Sequence, residues 1–484
     1  MRKWEGKLLW MGSFLFLLFT LKGIGLTWDE PFYMLYPQKY FEWFSHPKFS
    51  SIEKFFPDEV HPPLGKYIIG TSIRLFSWFL PPLVAARVSI ILLSASFIYL
   101  TYWIGKAILG REAGIFSALN LLLMPRVFGH MHLATLDITL SLFFLLATWA
   151  FYRGLEEIKW SLLFGVIWGL CISVKASGLF LLPPLILWSI LAKRKDSLKN
   201  FFFAFTISPL LFFLLWPRMW VHTFFHLRQY IYHQIYRLHI PVYYFGKVYT
   251  HSPPPWHYPW IMLLFTLPPV TLFLIFLGLR KIKGNPDLQI FIFPPLFFLF
   301  LVSLPQAEKY DGIRLFLPVF PFLSILAGCG FKFLYSKIKN RGFLLLLPSF
   351  VSLLLLHPYY LSYYNLLCGG LKGAERLGME ITYWGDAMNM KVFNFINTHS
   401  PPFCTISFYP AGHLQTKFYS ILGFLKGGRK GVDTVRENSF LIVLQRREGL
   451  FNEKCRKILK ESKPLYCVEK DGVWLVYIFK GKVD

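Results

Sequence analysis

Apolar residues in this chain fall in long unbroken runs up to about residue 357, and the pattern then changes. The runs are roughly 7–26, 84–105, 113–129, 132–152, 160–175, 177–192, 200–216, 260–279, 288–304, 315–334 and 343–357. Their lengths and flanking charges predict about eleven membrane-spanning helices. Residues 66–80 are also apolar, but they are short, contain Arg74 and end at Pro81-Pro82. They predict an interfacial or re-entrant helix. Residues 27–83 then form one outer loop, and 217–259, rich in His, Tyr, Arg and Pro, form a second. Beyond 358 the apolar runs shorten and charge rises. Residues 405–409, 440–444 and 473–478 read as strands, and 452–460 as a helix. The expectation is a polytopic α-helical membrane unit over 1–357, followed by a small extracytoplasmic α/β domain over 358–484.

Charge fixes the expected orientation. The net charge is +25, yet only 16% of residues are charged and 55% are hydrophobic. The basic residues cluster in short loops such as Lys193-Arg194-Lys195, Arg280-Lys281-Ile282-Lys283 and Lys337-Ile338-Lys339-Asn340-Arg341. That is the positive-inside pattern, with attraction to anionic membrane lipids, rather than a nucleic-acid surface. It places the N-terminus in the cytosol, the first run as a retained signal anchor, and the C-terminal domain outside a cell (inner) membrane. Of the six cysteines, Cys171 and Cys329 lie in apolar runs. Cys368, Cys404, Cys455 and Cys467 lie in the C-terminal part, where the sequence permits one or two disulfides without a choice of pairing.

Five polar clusters fall on the same expected outer side. Asp29 and Glu30 follow the first run. They form either the start of a helix capped by Thr27 or a carboxylate pair poised for proton transfer. His61 is aimed by Pro62-Pro63. His130, His132 and Asp137 lie between the third and fourth runs, where ionisable groups are costly unless they line a wet cavity. A metal held by His130 and His132 lacks an arranged third ligand. Lys175 sits in a tight turn as a phosphate partner or a snorkelling lysine. Tyr310, Asp311 and Arg314 precede the tenth run, and the planar fork of Arg314 matches phosphate oxygens. Unrelated features would scatter over both faces, so this convergence points to an active site.

At these residues the chain resembles the GT-C glycosyltransferases, in the branch of protein O-mannosyltransferases and lipid A aminoarabinose transferases. The matching features are Asp29-Glu30 after the first span, His61-Pro62-Pro63-Leu64, and Leu133 to Asp137. The turn Lys175 to Gly178 and the loop from Tyr310 through Arg314 complete the set. His357 to Asn365 and Tyr383-Trp384-Gly385-Asp386 are similar to a subgroup of bacterial members. The resemblance implies a polyprenyl-phosphate-linked sugar as donor and Asp29 as catalytic base. It implies that Glu30, His61 and Asp137 shape the pocket and that Lys175 and Arg314 lie near the lipid phosphate. His132 stands where many relatives carry Arg. The acceptor, a glycan, a lipid or a protein, is not identified, although no inserted soluble domain of the eukaryotic mannosyltransferase kind is present. A divalent cation is permitted but not required. The expected reaction is displacement with inversion. A transporter or flippase of lipid-linked saccharides is the alternative, but it should show a repeat of spans or a polar path to the inner face.

Overall fold

The computed structural model describes residues 4–58, 60–237, 239–280, 286–436 and 438–481. Glu59, within the second polar cluster, and residues 281–285 of one basic loop lie outside them. The protein is mainly helical. Among the described residues, Pro82–Leu109, Lys195–Leu215 and Arg314–Leu356 are long and apolar enough to cross a membrane. The pair Tyr258–Thr266 and Pro269–Leu279, bent by 116°, is a fourth if it counts as one span. The segment from Arg314 to Leu356 is itself folded back. The rings of Phe331 and Phe343 lie 5.1 Å apart, whereas twelve residues of straight helix would separate them by about 18 Å. Its legs are Phe320–Ile338 and Leu347–Leu356.

The other apolar runs form shorter helices, among them Asp137–Gly154, Ile158–Val174 and Phe293–Ser303. Prolines account for much of this. Pro125, Pro183-Pro184, Pro268-Pro269 and Pro294-Pro295 sit at helix starts, where a missing N–H costs nothing. The short segment expected after the His-Pro-Pro motif is the helix Leu64–Phe76. Its thirteen residues reach about 20 Å. It packs between Glu30–Ser45 and Pro82–Leu109.

The C-terminal part carries a five-stranded sheet. Its order is Lys430–Val432, Thr405–Tyr409, Leu441–Gln445, Val473–Lys480 and Tyr466–Lys470. The first two pairings are parallel and the last two antiparallel. Every residue of the central strand Leu441–Gln445 is buried, as a strand covered on both faces requires. None of Cys368, Cys404, Cys455 and Cys467 forms a disulfide.

This part is tied directly to the segment that leads into Asp29. The Gly25 N–H donates to the Asp386 carbonyl at 3.0 Å, and the Trp28 N–H to the Trp384 carbonyl at 2.8 Å. Gln415 Nε2 donates to the Leu26 carbonyl at 2.8 Å. Position 25 must be glycine, because a Cβ there would lie 2.6 Å from the Asp386 and Met388 carbonyl oxygens.

Candidate active site

The first helix ends at Phe19, and the chain runs on to a second helix, Glu30–Ser45. Two adjacent carboxylates at that start have different surroundings. Glu30 is fully buried. Arg87 grips it with Nε and Nη2, both at 2.7 Å. It also accepts from the Thr27 N–H and hydroxyl at 2.9 and 3.0 Å, and from the Ala134 N–H at 2.9 Å. With both oxygens saturated and no solvent access, Glu30 does not reach the cavity. The sequence expectation that it shares the chemistry is corrected to a structural one: it binds the helix start to Pro82–Leu109. Asp29 turns the other way and keeps a quarter of its side chain exposed.

Asp29 belongs to a cluster organised by Arg314. The guanidinium meets three carboxylates: Asp29 through Nη2, Asp311 through Nη1 at 2.8 Å, and Asp137 through Nε at 3.3 Å. It lies over Trp384, 4.0 Å from the ring centroid. Lys175, where the helix Ile158–Val174 ends, donates to Asp137 at 2.8 Å. The expected convergence of Asp29, Asp137, Lys175, Asp311 and Arg314 is therefore present. The role expected of Arg314 is altered, because each of its nitrogens already serves a carboxylate. Among the described residues no group of three His, Cys, Asp or Glu side chains is arranged to hold a metal ion. The three aspartates instead meet on a guanidinium.

Two cavities adjoin this cluster. One, about 350 Å³, is lined by Asp29, Asp58 and Lys66 and by the aromatic residues Phe32, Tyr33, Tyr36 and Tyr310. The other, about 330 Å³, is lined by Lys175, His233, Tyr236 and Arg237. Both share Val60, His61, Ile240, Tyr310 and Arg314. The second outer loop thus contributes the cationic wall. Arg237 was not foreseen from sequence. It donates to Gln234 and, among the described residues, forms no ion pair with an acidic side chain. That leaves it freer than Arg314 or Lys175 to meet an anion.

Burial pushes the Asp29 carboxyl above its ordinary value. Arg314 opposes that rise, while Asp311 and Asp137 add to it. Burial, followed by Lys175, Arg237 and Arg314, holds His61 well below the ordinary imidazole value. His61 is therefore neutral at pH 7. Its Nδ1 has no hydrogen-bond partner among the described residues, and the ring lines both cavities.

His132 is not brought to the site. It is fully buried, with Nδ1 2.7 Å from the Phe128 carbonyl and Nε2 2.9 Å from the Thr20 hydroxyl. It lines neither cavity. The substrate-binding expectation for His132 is corrected to a packing role between the first helix and the Pro125–His130 helix. Arg126, in the polar cluster that runs to Asp137, and Glu380, which escaped the sequence reading, lie near the site. Both are buried, Arg126 donating from Nε to the Tyr363 carbonyl at 2.9 Å and Glu380 Oε1 lying 3.6 Å from Arg447 Nε.

Residues 60–227 match the family described as dolichyl-phosphate-mannose-protein mannosyltransferase. That segment includes His61, Arg87, Asp137 and Lys175, while Asp29 and Arg314 lie outside it. Among solved structures, ArnT from Cupriavidus metallidurans in the apo state superposes with a TM-score of 0.53 at 14% identity. The match covers 98% of this chain and 97% of that one. ArnT bound to undecaprenyl phosphate gives a TM-score of 0.51 at 14% identity, covering 100% and 99% of the two chains. No curated protein sequence matches the chain significantly. The chain shares the fold of these ArnT structures, and residues 60–227 match the sequence pattern of that mannosyltransferase family.

Proposed function

We propose that this protein is a membrane glycosyltransferase that moves a sugar from a polyprenyl-phosphate carrier to an acceptor hydroxyl, with Asp29 as general base and inversion at the anomeric carbon. The observation that carries the reading is the pair of adjoining cavities that share His61, Tyr310 and Arg314. One holds the only cluster carboxylate with appreciable exposure, Asp29 at 25% against 3% for both Asp137 and Asp311. The other presents Lys175 and Arg237.

The acceptor occupies the aromatic cavity with its hydroxyl on Asp29. The donor phosphate lies against Lys175 and Arg237. The acceptor oxygen attacks the anomeric carbon from the face opposite the phosphate. The new C–O bond forms as the bond to the phosphate oxygen breaks, and the hydroxyl proton passes to Asp29. Arg314 holds the other side of Asp29, so the free oxygen faces the cavity. Charge accumulates on the leaving phosphate, where the cations stabilise it. A phosphate leaves without protonation, so the second carboxylic acid of a glycosidase is not needed. In this reading the reaction takes place at the outer face of the inner membrane. The N-terminus is cytosolic, the chain crosses about eleven times, and the C-terminal sheet is extracytoplasmic.

The test compares lipid-linked sugars and envelope glycans, by mass spectrometry, in cells carrying wild type or Asp29→Asn. The variant is expected to reach the membrane in wild-type amounts, accumulate the lipid-linked sugar and lack the product. Indistinguishable profiles would refute the assignment of the base.

A further inference from the structure

We propose that Arg447, supplied by the C-terminal sheet, is a positioning residue for the Asp29 base: by engaging Asp311 it leaves Arg314 free to hold Asp29. This rests on the reading of Asp29 given above. Arg447 lies two residues beyond the central strand Leu441–Gln445. Its neighbour Arg446 anchors the turn to Glu375 and to Glu448, the latter at 2.5 Å. The Arg447 side chain is 3% exposed. Nη2 lies 2.7 Å from Asp311 Oδ1, and Nε lies 3.6 Å from Glu380 Oε1. The guanidinium is also 5.8 Å from the ring of Trp28, the residue just before Asp29.

Acidic and basic side chains therefore alternate along Glu380, Arg447, Asp311, Arg314 and Asp29. Asp311 is divided between two guanidiniums, Oδ1 toward Arg447 and Oδ2 toward Arg314. Three carboxylates compete for Arg314. Lys175 relieves it of part of Asp137, and Arg447 of part of Asp311. Without Arg447, the buried Asp311 would have Arg314 as its remaining cation. An unpaired buried charge is far costlier than a partly solvated one. Arg314 would therefore turn to Asp311 and release Asp29, the most exposed of the three. Arg447 Nη2 and Asp311 Oδ1 are within ion-pair distance but make no aligned hydrogen bond. The coupling is chiefly one of charge.

The direction of the effect on pH dependence follows from the groups that face each member. Asp29 faces Arg314, Asp311, Asp137, Lys175, Tyr33 and Tyr310. Arg447 faces Asp311, Glu380, Arg314 and Tyr258. Burial pushes Glu380 up to about 8 against the opposing pull of Arg447, so Asp311 is the main counter-charge of Arg447 at neutral pH. Removing Arg447 leaves more negative charge near Asp29 and less Arg314 upon it. Both changes disfavour the ionised base, so the acid limb of activity moves to higher pH.

The experiment measures kcat and donor KM against pH for the full-length enzyme with a polyprenyl-phosphate sugar. For Arg447→Gln, kcat should fall about tenfold with donor KM within about twofold. The acid limb should rise by about half a pH unit or more. Arg447→Lys keeps the charge on a shorter stem and should show a smaller shift in the same direction. Arg447→Gln combined with Asp311→Asn removes the pair as a unit and should return the limb toward wild type. An unshifted limb in Arg447→Gln, whatever its rate, overturns the proposal. Should that variant not fold, an unshifted limb in Arg447→Lys does the same. Asp29→Asn is assayed in parallel. If it turns over, the base assignment fails; if it is inactive while the Arg447 variants keep the wild-type profile, only the positioning role fails.

Discussion

Two buried charge clusters begin at consecutive residues, and they differ in closure. Around Glu30 every oxygen is saturated by Arg87, Thr27 and the Ala134 N–H, and water is shut out. Around Asp29 one guanidinium serves three carboxylates, and one side opens on two cavities. A closed cluster gives rigidity, because removing any member strands a charge. An open one has a carboxylate free to exchange a proton with a substrate. Adjacent residues of like chemistry thus differ in closure and exposure according to which way the helix start turns them.

The comparison breaks most severely at Asp29. Asp29→Asn should lower turnover by about a thousandfold, the scale of a lost general base, with thermal unfolding in detergent unchanged. Arg87→Ala should do the reverse at the level of the fold. It strands buried Glu30 and should cost about 3–5 kcal/mol, read as a lowered melting temperature and loss of protein from the membrane. Equal stability of the two variants would erase the distinction drawn here. A smaller effect is expected at the cationic cavity. Arg237→Gln should raise donor KM about tenfold, or about 1.4 kcal/mol, with kcat little changed. A loss confined to kcat would move Arg237 from binding to the chemical step.

The mildest test uses the wild type alone. Asp29 must be ionised to accept a proton, and its site raises its pKa. Activity should therefore be full above the shifted value and fall about tenfold per pH unit below it. The fall should begin at a higher pH than for an ordinary aspartate, and a profile flat down to the ordinary carboxylate range would contradict it.

The C-terminal sheet shows how far local pattern carries. The strands read at 405–409, 440–444 and 473–478 and the helix at 452–460 appear within one or two residues of their observed bounds. The strand Tyr466–Lys470 was missed, although Asp471-Gly472, both at positive φ, carries the signature of a tight hairpin. Arg87 also left a signal. A charge inside an apolar run demands a partner, and Glu30 is that partner. Arg237 and Arg447 left none, since each sits among other basic residues in an irregular segment.

By itself the sequence determined that the first 357 residues are dominated by apolar helices, because run length and composition are local properties. It likewise identified Asp29, His61, Asp137, Lys175 and Arg314 as polar groups too costly to be idle beside lipid. Only the tertiary structure decided which of them share a cavity, that Glu30 and His132 do not, and that Arg237 and Arg447, from two distant irregular segments, lie beside them. The reason is physical: a charge's role depends on the partners and solvent around it. Those are set by chain segments hundreds of residues away, as with Arg314 upon Asp29.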